Sequence, residues 1–490
     1  MPTEKTYHLH PLGWENDPEE ERFKLSTLDY LTVCSYNNYA LFFRLDDDTD
    51  KANIVDVLKA GLERTLSQTR HLCGTIEKDA TGGYSFVKKK ESTVQFVVQW
   101  LNSGLSIDDI EKSHFSTARM GDLESWSVLP MTYGEKPEAS LDNSPIVAAY
   151  KANFVPGGLV FNMHHHHYSN DVMGWAGLAH QLAENCYAIA NNTPFPAWDP
   201  KNLDVSRLTK PEPPEEAKVD GPPAPQPHPD LLPGICLLFH LPKSKAAELK
   251  TLATPDGTWI STYDAFSAFT LRTLTRLRIP LYTPDPSSPL LWIEAVDMRR
   301  RLHTPKPPPR LQGNVMSVAM NNTAMENTTP IPQPNISEIL STWPLSKLAS
   351  YIRTLTNSVT QEGLDQILNT VAMVRDKSTL NARVDSQPPM TVLQTDHRDT
   401  NIPAADFGFG SPITYRHLLD VVGTGLIIIY PPRRKTPAAS DDDDDDDDEG
   451  YEFAISFEED IAQTLIEDPE WNRFFEYRGV DAVNAASTRI

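Results

Sequence analysis

Cysteine is scarce in this chain and nowhere paired. The four cysteines, Cys34, Cys73, Cys186 and Cys236, stand far apart along 490 residues, so no Cys-x-x-Cys metal or redox motif can be drawn, and they read as buried thiols. Basic charge is also short, with 44 Lys and Arg against 67 Asp and Glu and a formal net charge of −23. The acidic run at 441–449 accounts for nine of those charges, leaving about −14 on the rest. Nucleic acid is bound by a basic surface that displaces counterions from phosphates, and no Lys/Arg-rich stretch of useful length is there to do it. A local basic pocket for one anionic ligand stays open, because whole-chain charge says nothing about one cleft. No uninterrupted apolar run reaches membrane-spanning length, and MPTEKTYHLHPLGWENDPEEERF at the start lacks the apolar core of a secretion signal. No membrane span and a cytoplasmic location are the expectations.

What is present is the composition of a globular protein, 39% hydrophobic and 23% charged, in a chain long enough for two domains with a core each. Ile54, Val57, Leu58, Gly61, Leu62, Thr65 and Leu66 recur on one helical face and predict a helix over 54–69. HLCGTIEKDATGGYSFVKK then reads as a hairpin turning at Ala80-Thr81-Gly82-Gly83. A sharper hairpin follows, in which IVAAYKANFV and LVFNMHHHH flank Pro156-Gly157-Gly158. Beyond it Val172, Trp175, Ala179, Leu182, Ala183 and Cys186 predict a helix that Asp171 opens. The run His164 to His167 is therefore expected at a strand-to-helix corner.

Residues 210–233, KPEPPEEAKVDGPPAPQPHPDLLP, are too rich in proline and charge for a helix or a central strand. They are expected to link a domain over 1–209 to one over 234–490. In the second, STYDAFSAFTLRTLTRLR is helical in pattern, LWIEAVDMRRRL is strand-like, and GLIIIYPP and GYEFAISF are β-rich. The acidic segment between those last two strings is expected to form a disordered, solvated loop over 433–450. The fold class is α/β, with mixed sheets and helices.

A histidine at such a corner can act as a general base, because its intrinsic pKa lies near neutrality. The string His-x-x-x-Asp would arise by chance about once in a chain this long, so context has to carry the reading. Four adjacent histidines also suit a metal-binding tract, or an alternating strand with half its rings buried and half solvated. The metal reading lacks a second cluster at ligand spacing to complete a coordination shell, and the expectation is no metal.

HHYSND at 166–171 matches His-His-x-x-x-Asp, and DFGFG at 406–410 resembles the Asp-Phe-Gly-Trp-Gly motif of the BAHD acyltransferases. ISTYDAFSAF at 260–269, AVDMRRRL at 295–302 and Gly313-Asn314 lie between them, each similar to a segment that family carries there. LSTLDYL at 25–31 and STYDAFSAF resemble the fungal branch that includes trichothecene 3-O-acetyltransferase. The chain departs from the family at Phe409, where tryptophan is usual, at Val172, where many members have glycine, and in its acidic segment. A kinase reading of Asp-Phe-Gly fails, because no Gly-rich phosphate loop, Val-Ala-Ile-Lys or His-Arg-Asp accompanies it.

The resemblance implies two chloramphenicol-acetyltransferase-like domains with the active-site channel at their interface. It implies acyl-CoA, commonly acetyl-CoA, as co-substrate, a small hydroxylated metabolite as acceptor, no permanently bound cofactor, and a monomer. His167 would be the base, with direct transfer through a tetrahedral intermediate. His166, its neighbour on a strand, should point to the opposite face and be structural. Asp171 would turn away into a salt bridge with a basic partner. Strand alternation puts Arg299 and Arg301 on one face and Arg300 on the other, and the family's Asp-x-Arg-x-Arg pattern favours Arg301. Gly174 is expected to take over a close-packing role, and Asp406, Phe407, Gly408 and Gly410 to be architectural. Two other functions share these features: a condensation-type acyltransferase taking its acyl group from a carrier protein, and a non-catalytic binding protein of the same fold.

Overall fold

The computed structural model describes residues 3–79, 82–134, 136–321, 331, 333–434 and 448–484. The turn residues Ala80 and Thr81 and most of the acidic segment over 433–450 lie outside the described residues.

Alternating apolar strings build two large sheets. The first has six strands in the order Thr3–Leu9, Val94–Trp100, Ala148–Val155, Gly158–His166, Tyr36–Arg44 and Thr414–His417. The second has seven, in the order Met316–Met320, Trp292–Asp297, Val392–Asp396, Leu426–Tyr430, Tyr451–Glu458, Gly234–Leu241 and Glu476–Val483. Both mix parallel and antiparallel neighbours. A small sheet of Glu20–Lys24, Tyr84–Lys89 and Thr75–Lys78 stands apart.

Helix Lys51–Gln68 starts where the Asp50 carboxylate accepts the amide N–H groups of Ala52 and Asn53. It buries the seven residues of the anticipated face together with Val55. This helix lies against helix Val172–Ala190 over the first sheet's core. A Cβ on Gly61 would sit 2.4 Å from the Cys186 sulfur, so glycine sets how closely the two helices approach. On the second sheet, helix Thr262–Tyr282 opens with a capping box between Ser261 and Asp264. It packs Phe266 and Phe269 against Phe453, Trp471 and Phe475.

Residues 210–233 run between the halves with a single short helical turn, Glu215–Ala217, and an isolated bridge from Val219 to Val374. The halves are not separate in sequence, however. Strand Thr414–His417 returns from the second half to the edge of the first sheet, where His417 opposes Tyr39. Arg416 in that strand donates to Glu452 of the second sheet, and both side chains are fully buried.

Candidate active site

The histidine run divides by strand alternation. His164 uses both ring nitrogens on one face: Nδ1 lies 3.0 Å from the Met131 carbonyl oxygen, and Nε2 accepts the Val128 N–H. His166 does the same, with Nε2 3.0 Å from the Ala139 carbonyl oxygen and Nδ1 accepting the Tyr168 N–H. Burial pushes the pKa of His164 down to about 3 and that of His166 to about 4, so both are neutral structural rings. His165, on the other face, stacks on Tyr39 and meets Asn37. Only His167 of the four lines the cavity between the sheets, and its Nδ1 is buried, which leaves Nε2 as the nitrogen able to meet a substrate. Burial holds its pKa below the ordinary value. Its own backbone carbonyl, the charge of Asp171 and the Asn314 side chain act in the opposite direction.

The corner after His167 is fixed by Asp171. Its Oδ1 accepts the Gly174 N–H at 2.7 Å, capping helix Val172–Ala190, and its Oδ2 accepts the Val315 N–H at 2.7 Å. Arg299 completes the carboxylate with two further bonds, both of 3.0 Å. The same guanidinium donates to Asp297 and to the carbonyls of Leu311 and Gly313, so its five N–H groups are all used. Asp171 therefore faces Arg299, with its oxygens occupied.

The preference for Arg301 is corrected. Strand Trp292–Asp297 ends before the arginines, and the backbone N–H groups of Arg301 and Leu302 both bond the Met298 carbonyl in a turn. Alternation does not extend through a turn, so Arg299 and Arg301 diverge. Arg301 instead donates to the carbonyls of Thr356 and Val359, beside the end of helix Leu345–Asn357. A Cβ on Gly174 would lie 2.5 Å from the Gly313 carbonyl oxygen.

Two polar residues at this corner carried no role in the sequence reading. Asn314 donates through Nδ2 to the carbonyls of His167 and Tyr168 and to Asp29 Oδ1. Asp29 in turn accepts the Ser26 N–H at 2.7 Å through Oδ2. Burial raises the Asp29 pKa to about 7, against the lowering effect of its bonds to Asn314 and Ser26. Both residues lie in segments quoted for the resemblance, LSTLDYL and Gly313-Asn314, which is the signal that could have found them.

The cavity is about 280 Å³ and takes its walls from both halves: His167, Tyr39 and Val172 from one, Ala295, Leu393 and Ile428 from the other. His397 and His417 line it as well, and no motif pointed to either. The DFGFG segment is elsewhere. The Phe407 N–H bonds the Gly410 carbonyl, Asp406 accepts the Gly408 N–H, and Phe407 packs on Phe43. A Cβ on Gly408 would strike Ala190, at the far end of the helix that Asp171 opens. At 1.5 Å per residue that separates the two motifs by roughly 25 Å. Among the described residues no group of three His, Cys, Asp or Glu side chains is arranged to hold a metal ion, and no helix is long and apolar enough to cross a membrane.

Comparison with known proteins gives this arrangement a class. The fold is that of the two-domain BAHD acyltransferases. The structure of Fusarium graminearum TRI101 complexed with ethyl coenzyme A superposes with a TM-score of 0.75 at 21% identity, covering 94% of this chain and 100% of the other. Vinorine synthase superposes at 0.66 and 17% identity, over 94% and 96% of the two chains. Residues 35–186 match the family described as the trichothecene 3-O-acetyltransferase-like N-terminal domain. The acetyltransferase FGR3 of Gibberella zeae is 63% identical over 98% of this chain and 95% of its own length. The trichothecene 3-O-acetyltransferase TRI101 of Fusarium sporotrichioides is 24% identical over 91% and 94%. The chain belongs to the fungal trichothecene 3-O-acetyltransferase-like family of acyltransferases.

Proposed function

We propose that the chain transfers an acyl group, most simply acetyl, from acyl-CoA to a hydroxyl of a fungal metabolite, with His167 as general base. The observation that carries this reading is that His167 alone of its run lines a cavity walled by both halves, on a corner locked by Asp171 and Arg299. Two further facts support it. The 63% identical relative is named an acetyltransferase, and TRI101 structures hold coenzyme A with T-2 mycotoxin or deoxynivalenol. The halves 1–209 and 234–490 then act as two domains around one channel, with strand Thr414–His417 tying them.

In the proposed reaction the acceptor hydroxyl gives its proton to Nε2 of His167 while its oxygen attacks the thioester carbonyl. The tetrahedral intermediate collapses, the C–S bond breaks, and the thiolate recovers the proton from the imidazolium. Burial favours the neutral ring, so the base is ready at neutral pH. Asp171 does not share the proton, because its oxygens are occupied by Arg299, Gly174 and Val315. Its part is to hold the corner.

The test is to supply one alcohol mixture with isotopically labelled acetyl-CoA and, separately, with a labelled acetyl-carrier protein, reading products by mass. Transfer from acetyl-CoA is expected. Transfer from the carrier alone would replace this reading with the condensation-type one.

A further inference from the structure

His397 and His417 share the cavity with His167. His397 follows strand Val392–Asp396 of the second sheet, and His417 ends the strand that returns to the first, so the two rings arrive from opposite walls. They are 3% and 6% exposed, yet neither imidazole has a hydrogen-bond partner among the described residues, and His397 Nδ1 and His417 Nε2 are fully buried. Their neighbours are aromatic: His417 lies 4.6 Å from both Tyr39 and Tyr133, and His397 lies 5.9 Å from Tyr430 between ring centres. Buried polar groups are nearly always bonded, because leaving one unbonded forfeits its interaction with water for nothing. Two such groups in one ligand cavity mark a place where the partner is the ligand.

Resting on the function proposed above, we infer that His397 and His417 are acceptor-binding residues that hydrogen-bond an oxygen function other than the hydroxyl being acylated. Burial keeps both rings uncharged, with the pKa of His397 down to about 4 and that of His417 well below its usual value. With His397 Nδ1 and His417 Nε2 buried, each neutral ring presents only its other nitrogen, His397 Nε2 and His417 Nδ1, which donates or accepts by tautomer and so suits a hydroxyl or a ketone without favouring a carboxylate or phosphate. Much of the rest of the wall, including Ala295, Met316, Val318, Leu393 and Ile428, is apolar and suits a carbon skeleton. Asn37, Asp297, Arg383, Gln387 and Asp396 are among its polar members. The acceptor class is therefore a compact apolar skeleton with at least two oxygen functions, one at His167 and one at the histidine pair.

The test uses labelled acetyl-CoA and matched alcohols, each a diol and its singly oxygenated counterpart on one skeleton, in decalin, sesquiterpene and naphthol series. The wild type should prefer the diol by about 10-fold or more in kcat/KM in at least one series. His397→Phe combined with His417→Phe should bring that ratio to within about 3-fold of unity. His397→Gln and His417→Asn, which restore a neutral donor and acceptor, should keep most of it. The ratio is internal to each preparation, so a partly unfolded variant does not distort it. If the double variant fails to fold, the wild-type ratio and single His417→Phe decide. A wild-type ratio near one in every series, or a preference that survives the double substitution, overturns the inference while leaving the acyltransferase reading intact. Transfer to neither member of any pair counts instead against that reading, and this inference falls with it.

Discussion

Arg299 grips Asp171 at two points, 3.0 Å on each arm, and its remaining N–H groups hold Asp297 and the carbonyls of Leu311 and Gly313. One buried guanidinium thus ties the start of helix Val172–Ala190 to the end of strand Trp292–Asp297, across the two halves. Removing it leaves the Asp171 carboxylate buried without a countercharge, a loss of about 3–5 kcal/mol. Arg299→Ala is expected to lower unfolding stability by that amount. Arg301→Ala, which frees only two carbonyls, should cost about 1–2 kcal/mol. Denaturant unfolding of both variants compares them, and equal losses would contradict the assignment.

Asn314 and Asp29 position His167 from behind. Asp29→Ala takes the acceptor from Asn314 Nδ2 and from the Ser26 N–H, and should lower kcat by about 10- to 100-fold. Asn314→Asp removes the donor and sets a second carboxylate against Asp29, so it should be the more damaging change. Steady-state kinetics with a melting curve for each variant checks the order.

The pH dependence follows from the sign of the His167 shift. Burial depresses its pKa, and with the unprotonated ring as the proposed base, activity is expected to be lost as pH falls through that depressed value. The acid limb of kcat/KM should have its midpoint below 6.5, with a flat rate from about pH 7 to 8. Asp171→Asn removes a charge that raises this pKa, so the limb should move further down. A wild-type midpoint above 6.5 would contradict the assignment.

Gly174→Ala should be poorly tolerated, because its new methyl group would lie 2.5 Å from the Gly313 carbonyl oxygen and 2.6 Å from Asn170 Oδ1. Backbone at one of those contacts cannot rotate away, and overpacking of this kind costs about 1–3 kcal/mol. Gly177→Ala, three residues on, meets nothing closer than 3.5 Å and serves as the control in the same melting experiment.

Much of this was legible in the sequence where the signal is local. The face of helix Lys51–Gln68, the Asp171 cap and the hairpin carrying the histidines each depend on residues a few positions apart. The brace was misread because alternation was carried through Met298 to Arg301, where the chain turns. Asp29 and Asn314 meet across 285 residues, a separation at which periodicity and capping rules say nothing. His397 and His417 were missed for the same reason, since their surroundings exist only once strand Thr414–His417 has crossed to the first sheet.

The central claim is that His167 takes the proton, and the direct measurement is turnover of His167→Ala beside its folded state. The account predicts a fall in kcat of about 10³-fold, within the range for removal of a general base, with an unchanged circular dichroism spectrum and a melting temperature within a few degrees. Near-normal turnover by a folded His167→Ala protein would contradict it.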